Sequence, residues 1–222
     1  MNEKGFAFVI CSNNELLLNE CLEYISLLQV PEGYSVDLRV ITGASSMLEG
    51  MDEGRAASDA KYKIYMHQDV YILNKFFLYD LLTVFESDSK IGVVGMVGTP
   101  KMPANGVMWS GSRVGNLYSR RANPTEHRKE RFRLSDGLLD VNAVDGLLIA
   151  TAYDDVAFRK DLLDGWDFYD VSTSLEYKKA GYRVVVPEQK FPWVLHDDGM
   201  ILSMWNYDKY RKIILEEYKE FF

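Results

Sequence analysis

Short apolar runs and amphipathic segments alternate along the first hundred residues. Three β-branched and aromatic runs predict strands at residues 6–10, 36–41 and 62–66. The first of them lacks any apolar–polar alternation, as expected of a strand covered on both faces. Two helical stripes lie between these runs: Leu18, Cys21, Leu22, Ile25 and Leu28, then Met51, Gly54 and Ala57. This β-α-β-α-β order predicts parallel strands joined by right-handed crossovers.

The remaining residues continue the pattern less regularly. The further predicted elements are a helix at 77–85, a strand at 91–97, an apolar block at 138–152, a helix at 172–180, strands at 182–186 and 191–195, and a C-terminal helix from 203. Thr173 and Glu176 have capping-box spacing. We predict an α/β protein with a mostly parallel central sheet flanked by helices, in one domain over residues 1–222. Residues 1–100 form its nucleotide-binding half, because ligands of such sheets bind at the carboxyl ends of the strands.

The last helix presents an aromatic stripe. Its members are Tyr207, Tyr210, Ile214, Tyr218 and Phe221. We interpret the stripe as core packing, with a homodimer contact as the alternative.

Three glycines, Gly92, Gly95 and Gly98, lie inside and just after a predicted strand. Because they open no helix, we interpret them as close-packing residues rather than a phosphate-binding loop.

Composition narrows the class of protein. The 222 residues are 47% hydrophobic and 13% aromatic, which is enough for a sizeable core, and the net charge of −8 argues against a dedicated nucleic-acid binder. Two cysteines, Cys11 and Cys21, suit a reducing compartment. The sequence has no signal pattern and no run of about 18 apolar residues. We expect a soluble, cytoplasmic protein with no transmembrane segment.

A basic segment interrupts this acidic chain between Gly106 and Ser135. Its cationic residues are Arg113, Arg120, Arg121, Arg128, Lys129, Arg131 and Arg133. One interpretation is a solvated loop, since charge runs usually face water. The other is a lid or a contact with an acceptor phosphate.

Side chains capable of metal binding or proton transfer follow several predicted strands. The groups are Cys11–Glu15, His67–Asp69, Asp145–Gly146 and His196–Asp198, with Asp170 ahead of a predicted helix. Carboxylates and histidines at a sheet edge suit a divalent cation held against a diphosphate. The competing interpretations are that Asp69 is a turn residue, Asp170 a helix cap and His196 a structural histidine.

Four motifs in this order resemble those of the family 2-like glycosyltransferases with the GT-A fold. They are Phe8–Glu15 followed by Asn19–Leu22, Asp52–Tyr62 followed by Met66–Asp69, Val144–Leu147, and Trp166–Val171 followed by Leu175 and Ala180–Arg183. The His-Gln-Asp sequence is similar to a bacterial subgroup in which it replaces the metal-binding DxD motif. The resemblance covers almost the full chain and implies a GT-A fold whose residues 101–222 form the acceptor and catalytic half.

The resemblance also implies roles for individual residues. Asp69 is expected to bind Mn²⁺ or Mg²⁺ against the donor diphosphate, with His196 as a further metal ligand. Asp170 is expected to be the general base, and Asp145 to lie near the donor sugar or the acceptor. The implied donor-binding residues are Cys11, Ser12, Asn13, Glu15, Thr42, Gly43, Asp52, His67 and Gln68. The implied activity is inverting transfer of a sugar from a nucleotide-sugar donor to a hydroxyl acceptor, in surface polysaccharide assembly.

Several positions depart from the family pattern. His67 replaces the first acid of the DxD motif, and is open to interpretation as a metal ligand, a ribose contact or a packing residue. Thr42 and Gly43 stand where the family has an acidic pair that helps hold the nucleotide base. Asp52 stands where the family commonly has Asn, and Tyr169 replaces an acid ahead of the catalytic general base.

Because of these departures, a sugar-nucleotide-binding module without catalysis is the alternative function. A nucleotidyltransferase ranks last, because the chain lacks an early Gly-rich loop with Lys or Arg to grip a triphosphate.

Overall fold

Two β-sheets are built from one chain, and helices cover both faces of the larger sheet. The computed structural model describes residues 1–120, 128–131, 137–199 and 204–222. The strands are β1 (Asn2–Ser12), β2 (Ser35–Thr42), β3 (Ala60–His67), β4 (Val70–Ile72), β5 (Ile91–Gly95), β6 (Val97–Thr99), β7 (Val114–Ser119), β8 (Arg128–Arg131), β9 (Leu138–Asp140), β10 (Ala143–Val144), β11 (Leu148–Thr151), β12 (Arg183–Pro187) and β13 (Val194–His196). The helices are α1 (Glu15–Ser26), α2 (Met47–Ala56), α3 (Phe77–Ser87), α4 (Tyr169–Lys179) and α5 (Tyr207–Glu217), with short 3₁₀ helices at Met108–Ser110 and Lys219–Phe221.

The larger sheet has seven strands in the order β2-β1-β3-β11-β5-β12-β9. β1 pairs in parallel with both β2 and β3, which confirms the predicted start of the fold. Five strands, β2, β1, β3, β5 and β12, share one direction, which agrees with the predicted mostly parallel sheet. β11 runs antiparallel to β3 and β5, and β9 runs antiparallel to β12, so the sheet also contains two reversed strands. Before β11 the chain runs through β10 of the smaller sheet, so β11 enters the larger sheet from its neighbour sheet rather than by a helical crossover.

The smaller sheet has six strands, ordered β10-β6-β7-β13-β4 with β8 beside β7. The strand predicted at 91–97 is divided, because the chain leaves the larger sheet after Gly95 and joins the smaller one at Val97. A Cβ atom at Gly95 would lie 2.4 Å from the Cβ of Val144, and one at Gly98 would lie 2.4 Å from the carbonyl oxygen of Ala143. The interpretation of these glycines as close-packing residues is confirmed.

Alternate residues of β1 point into two hydrophobic layers. Phe6, Phe8 and Ile10 face the layer under α1 and α3, whereas Val9 faces the layer under α2, α4 and α5. All four side chains are at most 2% exposed. As predicted, β1 is buried on both faces, and its carboxyl end opens between those of β2 and β3.

The start of α4 differs from the prediction. The helix begins at Tyr169 rather than at Ser172, and its N-cap, Phe168, has a φ of 61°. This left-handed conformation is uncommon for a bulky residue. Thr173 is buried inside the helix, so the predicted capping box is wrong. The earlier start places Asp170 in the first helical turn.

The aromatic stripe of the last helix packs inward. Tyr210, Ile214 and Tyr218 are at most 2% exposed, which confirms the interpretation as core packing. In the part of the chain that the structure describes, no helix is long and apolar enough to span a bilayer.

The contact between α2 and β1 yields a stability prediction. A Cβ atom at Gly54 would lie 2.3 Å from Cγ1 of Val9. Ala favours a helix over Gly by about 1 kcal/mol, but overpacking a buried contact costs about 1–3 kcal/mol. We expect Gly54→Ala to lower the free energy of unfolding in urea, while the exposed Glu53→Ala leaves it nearly unchanged. A more stable Gly54→Ala protein would contradict the tight packing of α2 on β1.

Candidate active site

The turn at Gln68 and Asp69 lies at the carboxyl end of β3. After this turn, β4 runs antiparallel to β13 in a register that pairs Val70 with His196. The backbone N–H of Asp197 also donates to the carbonyl oxygen of Asp69 at 2.8 Å. Strand pairing therefore brings Asp69 beside His196, the last residue of a strand that is shorter than predicted.

His67, Asp69 and His196 converge at this edge. Nδ1 of His67 lies 3.4 Å from Nε2 of His196, and these nitrogens lie 3.9 and 3.6 Å from Oδ1 of Asp69. Two atoms that each lie about 2.1 Å from a shared ion are about 3.0–3.6 Å apart. Two of the three separations fall in this range and the third, from His67 to Asp69, exceeds it by 0.3 Å, so a small movement of one side chain lets the cluster hold one divalent cation. Two imidazoles with one carboxylate form a donor set suited to first-row transition metals.

Two members of the cluster, His67 and Asp69, have the protonation states that a metal needs. In the third, interactions with Asp69 outweigh burial and raise the pKa of His196, so a bound cation would take the place of a proton on that ring. Burial lowers the pKa of His67 to about 4, and the nearby His196 adds to the shift. Burial disfavours the ionised form of Asp69, but its hydrogen bond and charge interaction with His196 outweigh burial and keep the pKa of the carboxyl below its usual value. Near neutral pH, His67 is therefore a neutral imidazole and Asp69 a carboxylate, which are the forms that bind metals.

A hydrogen bond joins His67 to α4. Its Nε2 lies 2.5 Å from the hydroxyl oxygen of Tyr169. The same oxygen packs on Gly146, where a Cβ atom would lie 2.1 Å from it, so a larger residue does not fit there without movement. The bond fixes the His67 ring with Nδ1 toward Asp69 and His196, in the way that outer hydrogen bonds orient metal-binding histidines.

Asp170 follows Tyr169 and is held by two backbone donors. Its Oδ2 accepts from the N–H of Gly146 at 3.1 Å, and its Oδ1 accepts from the N–H of Val171 at 2.8 Å. Burial, reinforced by the charge of Asp145, raises the pKa of Asp170 to about 7 despite these bonds. Asp170 is not the N-cap of α4, so the helix-cap interpretation is wrong. Its carboxyl can accept a proton near neutral pH.

Gln68 ties the turn to the loop after β1. Its Oε1 accepts from the hydroxyl of Ser12 at 2.8 Å and from the N–H groups of Asn13 and Asn14 at 3.0 and 2.8 Å. Its Nε2 donates to Oδ1 of Asn13 at 2.7 Å. One amide therefore fixes the shape of the loop that leads into α1.

Two adjoining cavities open at these residues. The first has a volume of about 460 Å³ and is lined by Cys11, Ser12, Asn13, Ile41, Gly43, Ala44, Met47, His67, Gln68, Asp69 and Trp166. The second has a volume of about 760 Å³, and its walls include Asp145, Asp170 and His196. His67 and Trp166 line both, so the candidate metal site stands between the two cavities.

Three of the predicted donor-binding residues line neither cavity. Glu15 and Thr42 are exposed. The carboxylate of Asp52 pairs with Arg55 at 2.6 Å and with Lys160, so Asp52 stabilises α2.

The basic segment is described only in part. Its Arg120 makes an ion pair with both carboxylate oxygens of Asp197, each at 2.9 Å. The side chains of Arg121, Arg128, Lys129, Arg131 and Arg133 lie outside the described residues.

Aromatic side chains line the second cavity, and the sequence analysis did not include them among the candidate site residues. Trp109, Trp166, Phe168 and Tyr207 line the second cavity. Trp166 is 51% exposed. The only signal in the sequence was the Gly165-Trp166-Asp167 stretch, where a large apolar residue stands among turn formers.

The large central sheet flanked by helices has the GT-A fold, as the similar solved structures show. A family profile described as "Glycosyltransferase like family" matches residues 7–218, and the chain belongs to this family. Among curated proteins, none matches the chain.

Solved structures support the fold. They include residues 1–349 of S. aureus TarS in complex with UDP, with a TM-score of 0.57 and 11% identity over 96% of this chain and 65% of that one. A mannosyltransferase, PcManGT from Pyrobaculum calidifontis, in complex with GDP-Man and Mn²⁺, has a TM-score of 0.59 and 11% identity over 99% of this chain and 65% of that one. GalNAc-T7 with UDP, GalNAc and Mn²⁺ has a TM-score of 0.64 and 11% identity over 98% of this chain and 49% of that one. The chain thus spans at most 65% of the length of these three.

The Gln68 contacts predict a rigid loop. We expect Gln68→Ala to speed amide hydrogen exchange at Asn13 and Asn14 by about tenfold, since each lost hydrogen bond is worth about 1 kcal/mol. Gln68→Glu keeps the accepting oxygen but loses the Nε2 donor to Asn13, so it should speed exchange less than Gln68→Ala does. Unchanged exchange in Gln68→Ala would mean that the loop holds its shape without the amide.

Proposed function

We propose that this protein is a metal-dependent glycosyltransferase that moves a sugar from a nucleotide-sugar donor to a hydroxyl acceptor with inversion at the anomeric carbon. One observation carries the proposal: the cluster of His67, Asp69 and His196 stands between two cavities, one of which contains Asp170. A transferase needs this separation of donor and acceptor around the reacting bond.

The first cavity suits the donor. Its position beside the candidate metal site supports a nucleotide whose diphosphate lies toward Asp69, and its volume of about 460 Å³ is in the range of ligand pockets. Cys11, Ser12, Asn13, Gly43 and Gln68 line it. The nucleotides and nucleotide sugar bound by the three similar structures are consistent with such a donor.

Asp69, His196 and His67 would hold the cation. When bound, a divalent cation neutralises the charge that develops on the leaving diphosphate. With two nitrogen donors, we propose that the site prefers Mn²⁺ to Mg²⁺, because Mg²⁺ favours oxygen ligands. His67 is then a ligand rather than a ribose contact, with its Nε2 occupied by Tyr169.

Asp170 would act as the general base. As the acceptor oxygen bonds to the anomeric carbon, its proton passes to the Asp170 carboxylate while the bond to the diphosphate breaks. The N–H groups of Gly146 and Val171 hold the carboxylate in place. Attack opposite the leaving group inverts the anomeric carbon and needs no covalent enzyme intermediate.

The cellular setting is also a proposal. The resemblance to a bacterial subgroup supports a role in surface polysaccharide assembly. Cys11 and Cys21 are both free, which suits the reducing cytoplasm.

The metal role predicts a loss of both binding and turnover. We expect Asp69→Ala to weaken Mn²⁺ binding, read by electron paramagnetic resonance, by more than about 100-fold, because the loss of a direct ligand costs more than the roughly 10- to 100-fold loss that follows removal of a residue hydrogen-bonded to a ligand. Transfer and donor hydrolysis should fall with it. Glu23→Gln, on the exposed side of α1, is the matched control. Full Mn²⁺ affinity in Asp69→Ala would remove the cation from this cluster, and donor binding without any turnover in the wild type would favour the non-catalytic binding module.

The raised pKa of Asp170 predicts a pH profile. Since a base works only when ionised, wild-type turnover should rise about tenfold per unit up to about pH 7 and then level. Asp170→Asn should lose about 100-fold or more in turnover and keep donor affinity. Asp161→Asn, on an exposed ion pair, is the control, and unchanged turnover in Asp170→Asn would exclude Asp170 as the base.

The same shift has a consequence for stability. A carboxyl whose pKa rises on folding stabilises the protein fully below its unfolded value of 3.8, and that contribution is lost as the pH rises through about 7. Asp170→Asn stays neutral throughout. The amide of Asn has one accepting oxygen for the two backbone donors, so the variant carries a constant offset in stability. We therefore expect the free energy of unfolding of Asp170→Asn, relative to wild type, to rise by at least about 1 kcal/mol between pH 4 and pH 8.

A further inference from the structure

The larger sheet ends in a long strand with an open edge. β2 is the outermost strand, and one of its two edges pairs with β1 in an unbroken register. No strand among the described residues pairs with its other edge. β2 has eight residues and contains neither Pro nor Gly. Such an edge presents N–H and C=O groups that can pair with a further strand.

One face of β2 carries a row of partly uncovered apolar side chains. Val36 and Leu38 lie in register with Phe6 and Phe8 of β1. The two β1 residues are fully buried, whereas Val36 is 39% exposed and Leu38 is 41% exposed. Val40 continues the row and is half-buried. The helical layer therefore covers β1 and leaves this row of β2 in contact with water.

The opposite face of β2 carries one acid and one base. Asp37 and Arg39 are two residues apart, so their side chains point to the same side of the sheet. Nη2 of Arg39 lies 2.7 Å from Oδ2 of Asp37, and both side chains are partly exposed. Both charges can therefore interact with a strand that approaches the open edge.

The sequence of β2 is complementary to its own reverse. An antiparallel pair of two copies centred on Leu38 places Val36 opposite Val40 of the second copy and Asp37 opposite Arg39 of the second copy. Opposite charges directly across an antiparallel pair are favourable, and like charges are unfavourable. A two-fold axis perpendicular to the sheet produces this arrangement and keeps every side chain on its own face.

The charges also select one register. Pairing centred on Asp37 would place two aspartates opposite each other, and pairing centred on Arg39 would place two arginines opposite each other. A shift by a single residue would bring apolar and charged side chains to the same face. Only the register centred on Leu38 matches every side chain from 36 to 40, so the partner that this edge fits is a second copy of the chain.

We propose that the protein forms a two-fold symmetric dimer by antiparallel pairing of β2, which joins the larger sheets of two copies into one continuous sheet. One strand from each copy makes a small interface, so the dimer is in equilibrium with monomer at micromolar concentrations. The inference is independent of the proposed function, because no residue from 36 to 40 lines either cavity.

Charge reversal on β2 tests the pairing. Arg39→Asp leaves two acids on this face, and Asp37→Arg leaves two bases. Each variant alone therefore places like charges opposite each other, whereas a mixture of the two restores opposite charges in a heterodimer. The side chains are partly exposed, and exposed ion pairs contribute little to folding, so both variants remain folded. Glu86→Arg, at an exposed position of α3, is the matched control.

Sedimentation velocity at protein concentrations from about 1 to 200 μM measures the association. We expect wild type and Glu86→Arg to dimerise alike, and each β2 variant alone to dimerise at least about tenfold more weakly. The equimolar mixture of Arg39→Asp and Asp37→Arg should recover wild-type association, and so should the double variant that carries both changes.

Three results would overturn the inference. The first is a wild-type chain that stays monomeric at the highest concentration. The second is a dimer that the single charge reversals leave unchanged. The third is a mixture of the two variants that stays monomeric while wild type dimerises, because the contact would then lie elsewhere on the protein.

Discussion

The hydrogen bond between His67 and Tyr169 is the contact on which the candidate site depends. It joins the end of a central strand to the first turn of α4, across 102 residues of sequence. On one side of this bond stands the candidate metal cluster, and on the other side the residue after Tyr169 is the candidate base. Gly146 leaves room for the hydroxyl and also donates to Asp170. A displacement of Tyr169 would therefore disturb both halves of the site.

The site gives two aspartates opposite electrostatic surroundings. Asp69 stays ionised because its hydrogen bond and charge interaction with His196 outweigh the effect of its burial, whereas burial and the charge of Asp145 raise the pKa of Asp170 to about 7. A permanent carboxylate suits a metal ligand, and a carboxylate that accepts a proton near neutral pH suits a base. The difference arises from the charged neighbours of each carboxyl: His196 lies beside Asp69, and Asp145 lies near Asp170.

Local patterns predicted much of this arrangement and missed its long-range part. The strand ends of β1 and β3, the buried helix faces and the membership of Asp69 and His196 in one site could be predicted, because each follows from periodicity or from ordered motifs. The antiparallel direction of β11 could not be predicted, because it depends on the point at which the chain returns to the larger sheet. The roles of Gln68 and Tyr169 depend on partners 54 and 102 residues away, and no local spacing encodes such pairs. Trp166 lines both cavities, and local spacing does not predict which side chains border a cavity that distant segments enclose.

The most direct test of the metal-dependent transferase is the location of the cation itself. Crystals grown with Mn²⁺ and a nucleoside diphosphate can be measured at the manganese absorption edge. We expect an anomalous peak within coordination distance of Oδ1 of Asp69, Nε2 of His196 and Nδ1 of His67, with the diphosphate on the side of the first cavity. A bound nucleotide with no anomalous peak at these three atoms, or with manganese held elsewhere, would contradict it.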